Sequence, residues 1–487
     1  MSALKRICAS SIAAFLFHTA VGSPRSAAAD DPPEAKQVDA VFADLTKPGS
    51  PGCALAVARN AKIIYEKGYG LANIEEDVAI TARSVFDIGS TSKQFTASSI
   101  LLLEKQGKLS VNDDVRKYIP ELPDYGHKIT ILHLLNHTSG LRDYLALFEL
   151  AGVNIDSVTT DEDALAIIAR QKSLNFDPGT QWRYSNSGFF LLSIIVKRVS
   201  GKSLSEFAAD NIFSPLEMKT TVYRDDHTRI VPNRALAYDP KEKGDGFLLD
   251  ISYFEQTGDG AVHTSVEDLL KWDENFYSAK VGGPALLAKL QEPGKLNDGK
   301  SLEYAKGLFV HNYRGLPVVE HGGSWGGYRA QLLRFPGQHF SIACLCNLAN
   351  ANPENRAEKV ADIFLASELK QPKETPKARE VPAKKETVPV AADVLAQLAG
   401  DYSSDELFVT YTLAVENGKL FLAKIRNGLS GGFLQSTKHW ELRPIGNDQF
   451  RADEEGITVT FSRGANGGVK GFVLGAGRSS GIPFERK

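Results

Sequence analysis

Apolar runs of strand length occur at both ends of the segment that extends from about residue 40 to residue 369. Near its start, residues 52–60 and 62–70 are two such runs separated by one residue, which predicts a β-hairpin. Near its end, three further runs are punctuated by Gly and Pro, at residues 316–321, 328–335 and 340–349. We therefore expect one sheet built from strands at both ends of the segment.

Between these strands the pattern changes to helical spacing. Residues 92–108 and 189–213 have long amphipathic or apolar helical patterns, which end or break at glycines. Ser265 followed by Asp268 resembles a capping box at the start of another helix. Residues 353–369 close the segment with a further helix. These patterns predict an α/β (α+β) fold with one sheet built from both ends of the segment and a mostly helical insert.

The rest of the chain differs in composition and in its pattern of apolar residues. Residues 370–390 are rich in Lys, Glu and Pro and have few apolar side chains, which is typical of a linker. Residues 391–487 contain short strand patterns, and Asn417-Gly418 between two of them is a strong hairpin signal. We expect domains at residues 30–369 and 391–487, the second a small all-β, barrel-like domain.

The N-terminal residues are typical of an export signal. Lys5 and Arg6 precede an apolar stretch from Ile7 to Val21, and Ala27-Ala28-Ala29 offers a cleavage site. A membrane anchor is the alternative, but the stretch is short and interrupted for a bilayer span. We predict a signal peptide at residues 1–29 and a periplasmic or secreted mature protein with no stable membrane anchor.

Composition and charge narrow the classes of function. The 487 residues are 43% hydrophobic and 24% charged, with a net charge of -3 and no basic stripe, which excludes nucleic acid as an expected partner. Beyond Cys8, the cysteines are Cys53, Cys344 and Cys346, each in an apolar run. Buried small hydrophobic residues are the preferred interpretation, and one bridge from Cys53 stays open in an oxidising compartment. The sequence does not indicate an oligomeric state.

The main chemical candidate is Ser90 with Lys93 at the start of a predicted helix. Residues three apart lie on one helical face, so the Lys93 amine can reach the Ser90 hydroxyl. A lysine acts as a base when burial or a positive field disfavours its charge, and a helix N-terminus supplies such a field. The alternative is an ordinary helix start with a solvated lysine. The spacing indicates a serine nucleophile with a lysine base.

Two further motifs add polar groups. Tyr184 can shuttle protons, and Asn186 beside it can hold a polar substrate group. His321 is followed by Gly322, Gly323 and Ser324, where adjacent glycines allow a close approach to the backbone. The backbone N–H groups of Ser90 and Ser324 would together hold an oxyanion. Alone, each motif is weak, since a packed tyrosine or a glycine-rich turn would look the same.

Together these motifs resemble the serine β-lactamase and penicillin-binding protein superfamily, in its class C-like branch of DD-peptidases, esterases and related hydrolases. The resemblance covers about residues 40–368 and implies a β-lactamase/transpeptidase-like fold, in which an antiparallel sheet has flanking helices and a mostly helical insert. It extends to four further stretches, at Ile129–Leu141, Tyr184–Leu204, Ile212–Thr221 and Gly258–Trp272. The third departs from the family pattern by carrying Glu217. The C-terminal segment resembles the small lipocalin-like barrels that often follow this domain.

The resemblance implies roles for the residues above. Ser90 would be the acylated nucleophile, Lys93 its base partner and Tyr184 a proton shuttle, and Asn186 would contact the substrate amide or Lys93. His321, with Gly323 and Ser324, would bind substrate where many β-lactamases carry a Lys-Thr-Gly motif. A histidine is not reliably cationic at neutral pH, which counts against an efficient β-lactamase. We expect an esterase or D-amino-acid peptidase with a small-molecule or peptide substrate and no cofactor or metal.

Three other interpretations of the function are considered. Residues 322–326 match the nucleophile elbow of an α/β-hydrolase, but that motif needs a helix after the serine and a strand is expected there. His133 and His137 lie four apart but lack the neighbouring glutamate of a metalloprotease motif. The serious alternative is a non-catalytic cell-wall or ligand-binding protein that retains the penicillin-binding fold. The presence of Ser90, Lys93 and Tyr184 together argues against it.

Overall fold

The computed structural model describes residues 32–372, 388–427, 435–436, 439–446, 448–452 and 456–487. The signal peptide predicted at residues 1–29 lies outside the described residues, as does most of the linker predicted at residues 370–390. Both stay predictions. In the described part of the chain, no helix combines the length and apolar character needed to cross a bilayer.

The first half of the fold contains most of the helices. Those described are α1 Ala35–Val41, α2 Lys93–Lys105, α3 Ile131–Leu135, α4 Tyr144–Leu150, α5 Asp161–Ala169, α6 Asn186–Ser200, α7 Leu204–Ala208, α8 Val266–Ser278, α9 Gly283–Gln291 and α10 Pro353–Phe364. The described strands are β1 Cys53–Arg59, β2 Lys62–Tyr69, β3 Leu71–Asn73, β4 Val78–Ala79, β5 Phe86–Asp87, β6 Val222–Tyr223, β7 Tyr238–Pro240, β8 Phe247–Leu249, β9 Val262–Thr264, β10 Tyr304–Ala305, β11 Leu308–Tyr313, β12 Leu316–Trp325, β13 Tyr328–Phe335 and β14 Phe340–Cys346.

A seven-stranded antiparallel sheet organises this half, in the order β10-β11-β12-β13-β14-β1-β2 among the described strands. Strands from both ends of the segment therefore meet in one sheet, as the sequence pattern predicts. Side chains alternate along β1 because successive residues of a strand point to opposite faces. Ala54 and Ala56 join the core that contains α2, α6 and α8, whereas Leu55 and Val57 join the core that contains α1 and α10.

Helix α2 is the centre of the larger core. Most of its residues are buried, including the polar residues Gln94, Thr96, Ser98 and Ser99. The Ser98 and Ser99 hydroxyls donate to the carbonyls of Gln94 and Phe95, 2.7 and 2.9 Å away, so these polar groups are satisfied within the helix. The helix begins at Lys93, and its burial fixes the direction of the residues before it.

The second half of the fold is a closed barrel. Helix α11 Ala392–Leu398 precedes strands β15 Gly400–Ser404, β16 Val409–Glu416, β17 Lys419–Asn427, β18 Gln435–Ser436, β19 Trp440–Gly446, β20 Gln449–Ala452, β21 Ile457–Arg463, β22 Val469–Ala476 and β23 Ser479–Arg486. Among the described strands, all but β18 form an eight-stranded ring, which the pairing of β16 with β17 closes. The predicted turn between β16 and β17 has both Asn417 and Gly418 at positive φ, as a tight hairpin requires. The mixed fold with a small all-β barrel is thus confirmed.

The barrel docks on the helical insert through a buried arginine. Arg142 donates to the backbone oxygens of Ser480 and Gly481, each at 2.8 Å, and its Nη1 contacts the Glu406 carboxylate. Both side chains of the Arg142–Glu406 ion pair are almost fully buried. The Asn175 side-chain oxygen accepts a hydrogen bond from the Ser480 backbone nitrogen at 2.9 Å. The hairpin between β22 and β23 is therefore held firmly against the first domain.

The cysteines correct one expectation. The structure joins Cys53 to Cys346 in a disulfide, and only Cys344 is free among the described cysteines. All three are buried, as expected, but two of them are not simple small hydrophobic residues. The physical reason is the sheet register, because Cys53 on β1 lies directly opposite Cys346 on β14, with Cα atoms 4.0 Å apart.

Candidate active site

Ser90 lies in a tight turn that leads into α2. The turn comprises residues 89–92 and follows the short strand β5. Asp87, at the end of that strand, accepts a hydrogen bond from the Gly89 backbone at 2.8 Å. Gly89 has a φ of 46°, a left-handed conformation that glycine adopts without the penalty of a side chain. The turn therefore presents the Ser90 hydroxyl at the N-terminal end of a buried helix.

Strand β12 packs directly on this turn. The Thr91 hydroxyl donates to the His321 carbonyl at 3.1 Å. A Cβ on Gly323 would lie 1.9 Å from the Ile88 carbonyl oxygen, and a Cβ on Gly89 would lie 2.7 Å from the Ser324 nitrogen. Gly89 and Gly323 are needed because the nucleophile turn and β12 approach each other through their backbones. The sequence pattern instead predicted that the glycines after His321 allow the close approach of a ligand. The arrangement brings the Ser324 backbone nitrogen beside the nucleophile turn.

The Lys93 amine makes three polar contacts. Its Nζ lies 3.0 Å from Ser90 Oγ, 3.0 Å from Asn186 Oδ1 and 2.6 Å from the Asp259 backbone oxygen. Two of these partners are carbonyl oxygens and can only accept. A neutral amine has two hydrogens and one lone pair, so the lone pair is left for the Ser90 hydroxyl proton. The geometry suits a lysine base.

Electrostatics favour that neutral form. Burial lowers the pKa of Lys93, and the positive charge of Arg478 lowers it further, while Asp259 and Asp143 act in the opposite direction. Burial dominates because a charged amine loses its hydration when the surrounding protein replaces water. The Lys93 side chain is fully buried, which is consistent with that order of effects.

Tyr184 lies between two basic side chains. The Lys93 amine and the Arg478 guanidinium approach its ring, 4.9 and 4.6 Å from the centroid. Burial nevertheless raises the pKa of the Tyr184 hydroxyl, although Ser90 and Arg478 offset part of the effect. The buried hydroxyl makes no hydrogen bond within the described residues. The phenol is protonated at neutral pH.

His321 is buried and does not line the cavity that Ser90 lines. Its Nδ1 contacts the Gly322 carbonyl oxygen at 2.6 Å, and its Nε2 lies 3.3 Å from the Tyr304 hydroxyl. Burial and the nearby Lys93 amine lower the pKa of His321 to about 3. The imidazole is therefore neutral at physiological pH and does not replace the cationic lysine of a Lys-Thr-Gly motif.

Asn186 is the first residue of α6. Its backbone nitrogen donates to the Asp143 carboxylate at 2.7 Å, and the same carboxylate caps α4 through the nitrogens of Leu145 and Ala146. One buried aspartate therefore fixes the starts of two helices. This orientation points the Asn186 amide oxygen at Lys93.

A cavity of about 260 Å³ opens beside Ser90. Of the residues predicted from sequence, Ser90, Asn186 and Ser324 line it, while Lys93 and Tyr184 are not part of the lining. His321 and Gly323 are not part of the lining. The structure thus brings the three motifs together, and the binding of substrate by His321 and Gly323 stays a prediction.

Sequence reasoning missed three residues of this site: Tyr144, Asp259 and Arg478. Tyr144 donates to the Asp259 carboxylate at 3.0 Å. Asp259 and Arg478 line the cavity. Asp259 lies within Gly258–Trp272, a stretch that resembles the family, so its carboxylate could have been proposed from the sequence. Arg478 could not be predicted from the sequence, because it belongs to the barrel and lies at the tip of the hairpin between β22 and β23.

The other interpretations do not match the geometry. Ser324 lies within β12 and the next element is strand β13, so no helix follows it as an elbow requires. His133 accepts from the Thr130 backbone in a capping box, and His137 accepts from the Ser185 backbone at 3.2 Å. These contacts give both histidines structural roles.

Comparison with known proteins agrees with this geometry. Residues 38–366 match the family described as Beta-lactamase. Penicillin-binding protein 4* of Bacillus subtilis is 28% identical over 464 residues, covering 90% of this chain and 96% of the relative. A D-aminopeptidase of Gluconobacter oxydans is 30% identical over 335 residues, which span 68% of this chain and 61% of that enzyme's length.

Similarity at the level of fold extends to the barrel. The octameric penicillin-binding protein homologue from Pyrococcus abyssi superposes with a TM-score of 0.61 at 21% identity, covering 93% of this chain and 99% of the other. That alignment shows a shared fold across both halves of the molecule. With the family match over most of the first domain, it leads to one conclusion: the chain belongs to the Beta-lactamase family of serine hydrolases, which includes penicillin-binding proteins and D-aminopeptidases.

Proposed function

We propose that this chain is an exported serine hydrolase that forms an acyl-enzyme on Ser90 and cleaves esters or D-amino-acid-containing peptides. The observation that carries the proposal is the 3.0 Å contact between Lys93 Nζ and Ser90 Oγ at the edge of the cavity. Burial lowers the pKa of that lysine, which gives a serine hydroxyl the base it needs.

Acylation begins with proton transfer from Ser90 Oγ to the Lys93 amine. The oxygen attacks the substrate carbonyl carbon, and the backbone N–H groups of Ser90 and Ser324 stabilise the oxyanion that forms. When the carbonyl re-forms, the bond to the leaving group breaks, and the leaving group takes a proton. The protonated Tyr184 hydroxyl supplies that proton and recovers one from Lys93. Ser90 then carries the acyl group as an ester.

Deacylation reverses the roles with water as the nucleophile. A water molecule gives a proton to the neutral Lys93 amine, with the Tyr184 hydroxyl as a relay, and attacks the ester carbon. The bond to Ser90 Oγ breaks, the serine recovers its proton, and a carboxylic acid leaves. None of these steps requires a metal ion or an organic cofactor.

The substrate class follows from the charge of the site and from the relatives. Many β-lactamases carry a cationic lysine at this position. His321 is neutral and buried, so it does not supply that positive charge. This supports weak or no β-lactamase activity. The similarity to a D-aminopeptidase supports a substrate whose acyl part is a D-amino acid.

Export rests on the predicted signal peptide and agrees with the buried disulfide. A bond between Cys53 and Cys346 forms and persists in oxidising compartments, such as the periplasm or the extracellular space. A periplasmic or secreted location would also give the enzyme access to D-amino-acid peptides of the cell wall.

The experiment is a labelling and turnover assay on the purified mature protein. A fluorophosphonate probe should modify Ser90, as located by mass spectrometry of the digested adduct. p-Nitrophenyl acetate and D-alanyl-p-nitroanilide should be turned over, with nitrocefin slower. Ser90→Ala should abolish labelling and turnover, while Ser324→Ala, which keeps the backbone N–H, should retain both.

Two outcomes would contradict the proposal. Absence of labelling at several pH values, in protein shown to be folded by circular dichroism, would favour a non-catalytic binding protein with this fold. Labelling that is lost only in Ser324→Ala would move the nucleophile to that residue.

A further inference from the structure

Arg224 is a buried arginine for which the described residues supply no counter-ion. It is 6% exposed, and its Nη2 donates a hydrogen bond to the His227 carbonyl oxygen. Among the described residues, its other N–H groups make no hydrogen bond and no carboxylate forms an ion pair with it. Asp87 and Asp226 act on its charge only from a longer distance. This state is unusual, because arginine is almost never fully buried unless it is paired.

Arg234 is a second unpaired arginine in the described part of the chain. Its side chain is half-buried and makes no hydrogen bond or ion pair with any described residue. The two arginines lie close together, since the charge of Arg234 lowers the pKa of Arg224. Both line the cavity that Ser90 lines. Like charges repel, so an anion bound between the two guanidiniums would stabilise both.

The short sheet beside the nucleophile turn fixes both arginines. Strand β6 ends one residue before Arg224, whose backbone nitrogen donates to the Ala261 carbonyl at 2.9 Å. Arg234 forms a β-bridge with Val85, the residue before β5. Strand β5 leads directly into the turn that carries Ser90. The arginines are therefore built on the same backbone framework as the nucleophile.

The carboxylates that line the cavity leave this pair of arginines with a net positive charge. Asp87 acts on both arginines from beyond ion-pair distance. The positive charge that acts on Asp250 is that of Arg329. The one that acts on Asp259 is that of Lys93. Among these carboxylates, only Asp87 therefore offsets the charge of the two arginines.

The arginines are remote from the group that protonates the leaving group. In the proposed mechanism that group is Tyr184. The charged side chains that shift the pKa of Tyr184 are Arg478, Asp259 and Asp143, and neither of the two unpaired arginines is among them. The part of the substrate that reaches these arginines is therefore the acyl part.

We propose that Arg224 and Arg234 form a subsite that binds a carboxylate on the acyl part of the substrate. The planar guanidinium matches the geometry of a carboxylate, and charged pairs form the strongest hydrogen bonds. The inference rests on the proposed function and narrows its substrates to esters or peptides whose acyl part is acidic.

Binding in a variant that cannot turn over substrate tests the subsite. In the full chain carrying Ser90→Ala, calorimetry measures the affinity for the monoamides of linear dicarboxylic acids, from succinamate to suberamate. Each is compared with the diamide of the same acid, which has the same shape and no charge. At the chain length that spans the subsite, the monoamide should bind about tenfold or more tightly than its diamide. Equal affinity of every monoamide and its diamide would overturn the proposal.

A change at Arg234 locates the effect. Arg234 makes no hydrogen bond to a described residue, so Arg234→Gln should fold normally, which circular dichroism checks. Added to Ser90→Ala, it should weaken the preferred monoamide by about tenfold and leave the diamide unchanged. Arg229→Gln is the matched control, because Arg229 pairs with Asp225 and does not line the cavity. An undiminished preference in Arg234→Gln, or an equal loss in Arg229→Gln, would contradict the assignment.

The subsite and the proposed function can fail separately. Fluorophosphonate labelling of the wild-type chain reports the nucleophile and does not depend on a carboxylate. Labelling of Ser90 without a preference for the monoamides would overturn only the subsite. A preference for a monoamide without labelling would overturn only the acyl-enzyme proposal.

Discussion

The guanidinium of Arg478, in the barrel, lies 4.6 Å from the ring centroid of Tyr184, in the first domain. It also faces the cavity that contains Ser90. The two residues meet because Arg142 and Asn175 hold the hairpin between β22 and β23 by its backbone. The barrel therefore contributes to the wall of the candidate active-site cavity.

This contact predicts an effect of Arg478 on the pH dependence of activity. The arginine lowers the pKa of Lys93, so Arg478→Ala should raise that pKa and reduce the fraction of neutral base at a given pH. The acidic limb of kcat/KM for p-nitrophenyl acetate should move to higher pH. The shift should be small, because half of the Arg478 side chain is exposed to solvent. Arg478→Lys should keep the original limb, and a limb shifted to lower pH in Arg478→Ala would contradict the prediction.

Lys93 itself should carry most of the base catalysis. Lys93→Met should reduce kcat for the same ester by about 100- to 10,000-fold, since a positioned base contributes that much. The pH profile of the remaining activity should no longer show the acidic limb that protonation of Lys93 causes. Lys105→Met, at the other end of α2 and exposed, serves as the control and should be unchanged. A Lys93→Met variant with near-normal kcat would rule out the lysine as base.

Gly323 should be essential for its close approach to Ile88. Gly323→Ala places a Cβ 1.9 Å from the Ile88 oxygen, so β12 must move away from the nucleophile turn. The Ser324 N–H then leaves the oxyanion position, and kcat should fall by about 100-fold or more. Gly337→Ala is the control, because a Cβ there would meet nothing within 4 Å. Equal activity of the two variants would show that β12 tolerates the displacement.

The buried ion pair between Arg142 and Glu406 should matter for stability. Arg142→Met leaves the Glu406 carboxylate buried without its cation, which should lower the free energy of unfolding by about 3–5 kcal/mol. Urea denaturation followed by fluorescence measures the change. Lys172→Met, which breaks the exposed pair with Asp405 between the same two domains, should cost less than about 1 kcal/mol. Similar losses for both variants would indicate that burial of the Arg142 pair has no special effect.

The sequence by itself determined the local structures that present the chemistry. The spacing of Ser90 and Lys93 predicts that they share one face, and the structure has their polar atoms 3.0 Å apart. The hairpin at Asn417-Gly418 and the cap at Ser265 also follow from short-range backbone preferences. Such features depend on residues a few positions apart, which is the range that a pattern along the chain reports.

Only the tertiary structure decided which distant groups meet. The pairing of Cys53 with Cys346, the unpartnered oxygen of Asp259 and the position of Arg478 over Tyr184 each depend on how separate elements pack. The shift in the pKa of His321 likewise depends on burial, which the surrounding elements create. Desolvation and contacts between domains arise from the arrangement of the whole chain in space, so no local sequence pattern contains them.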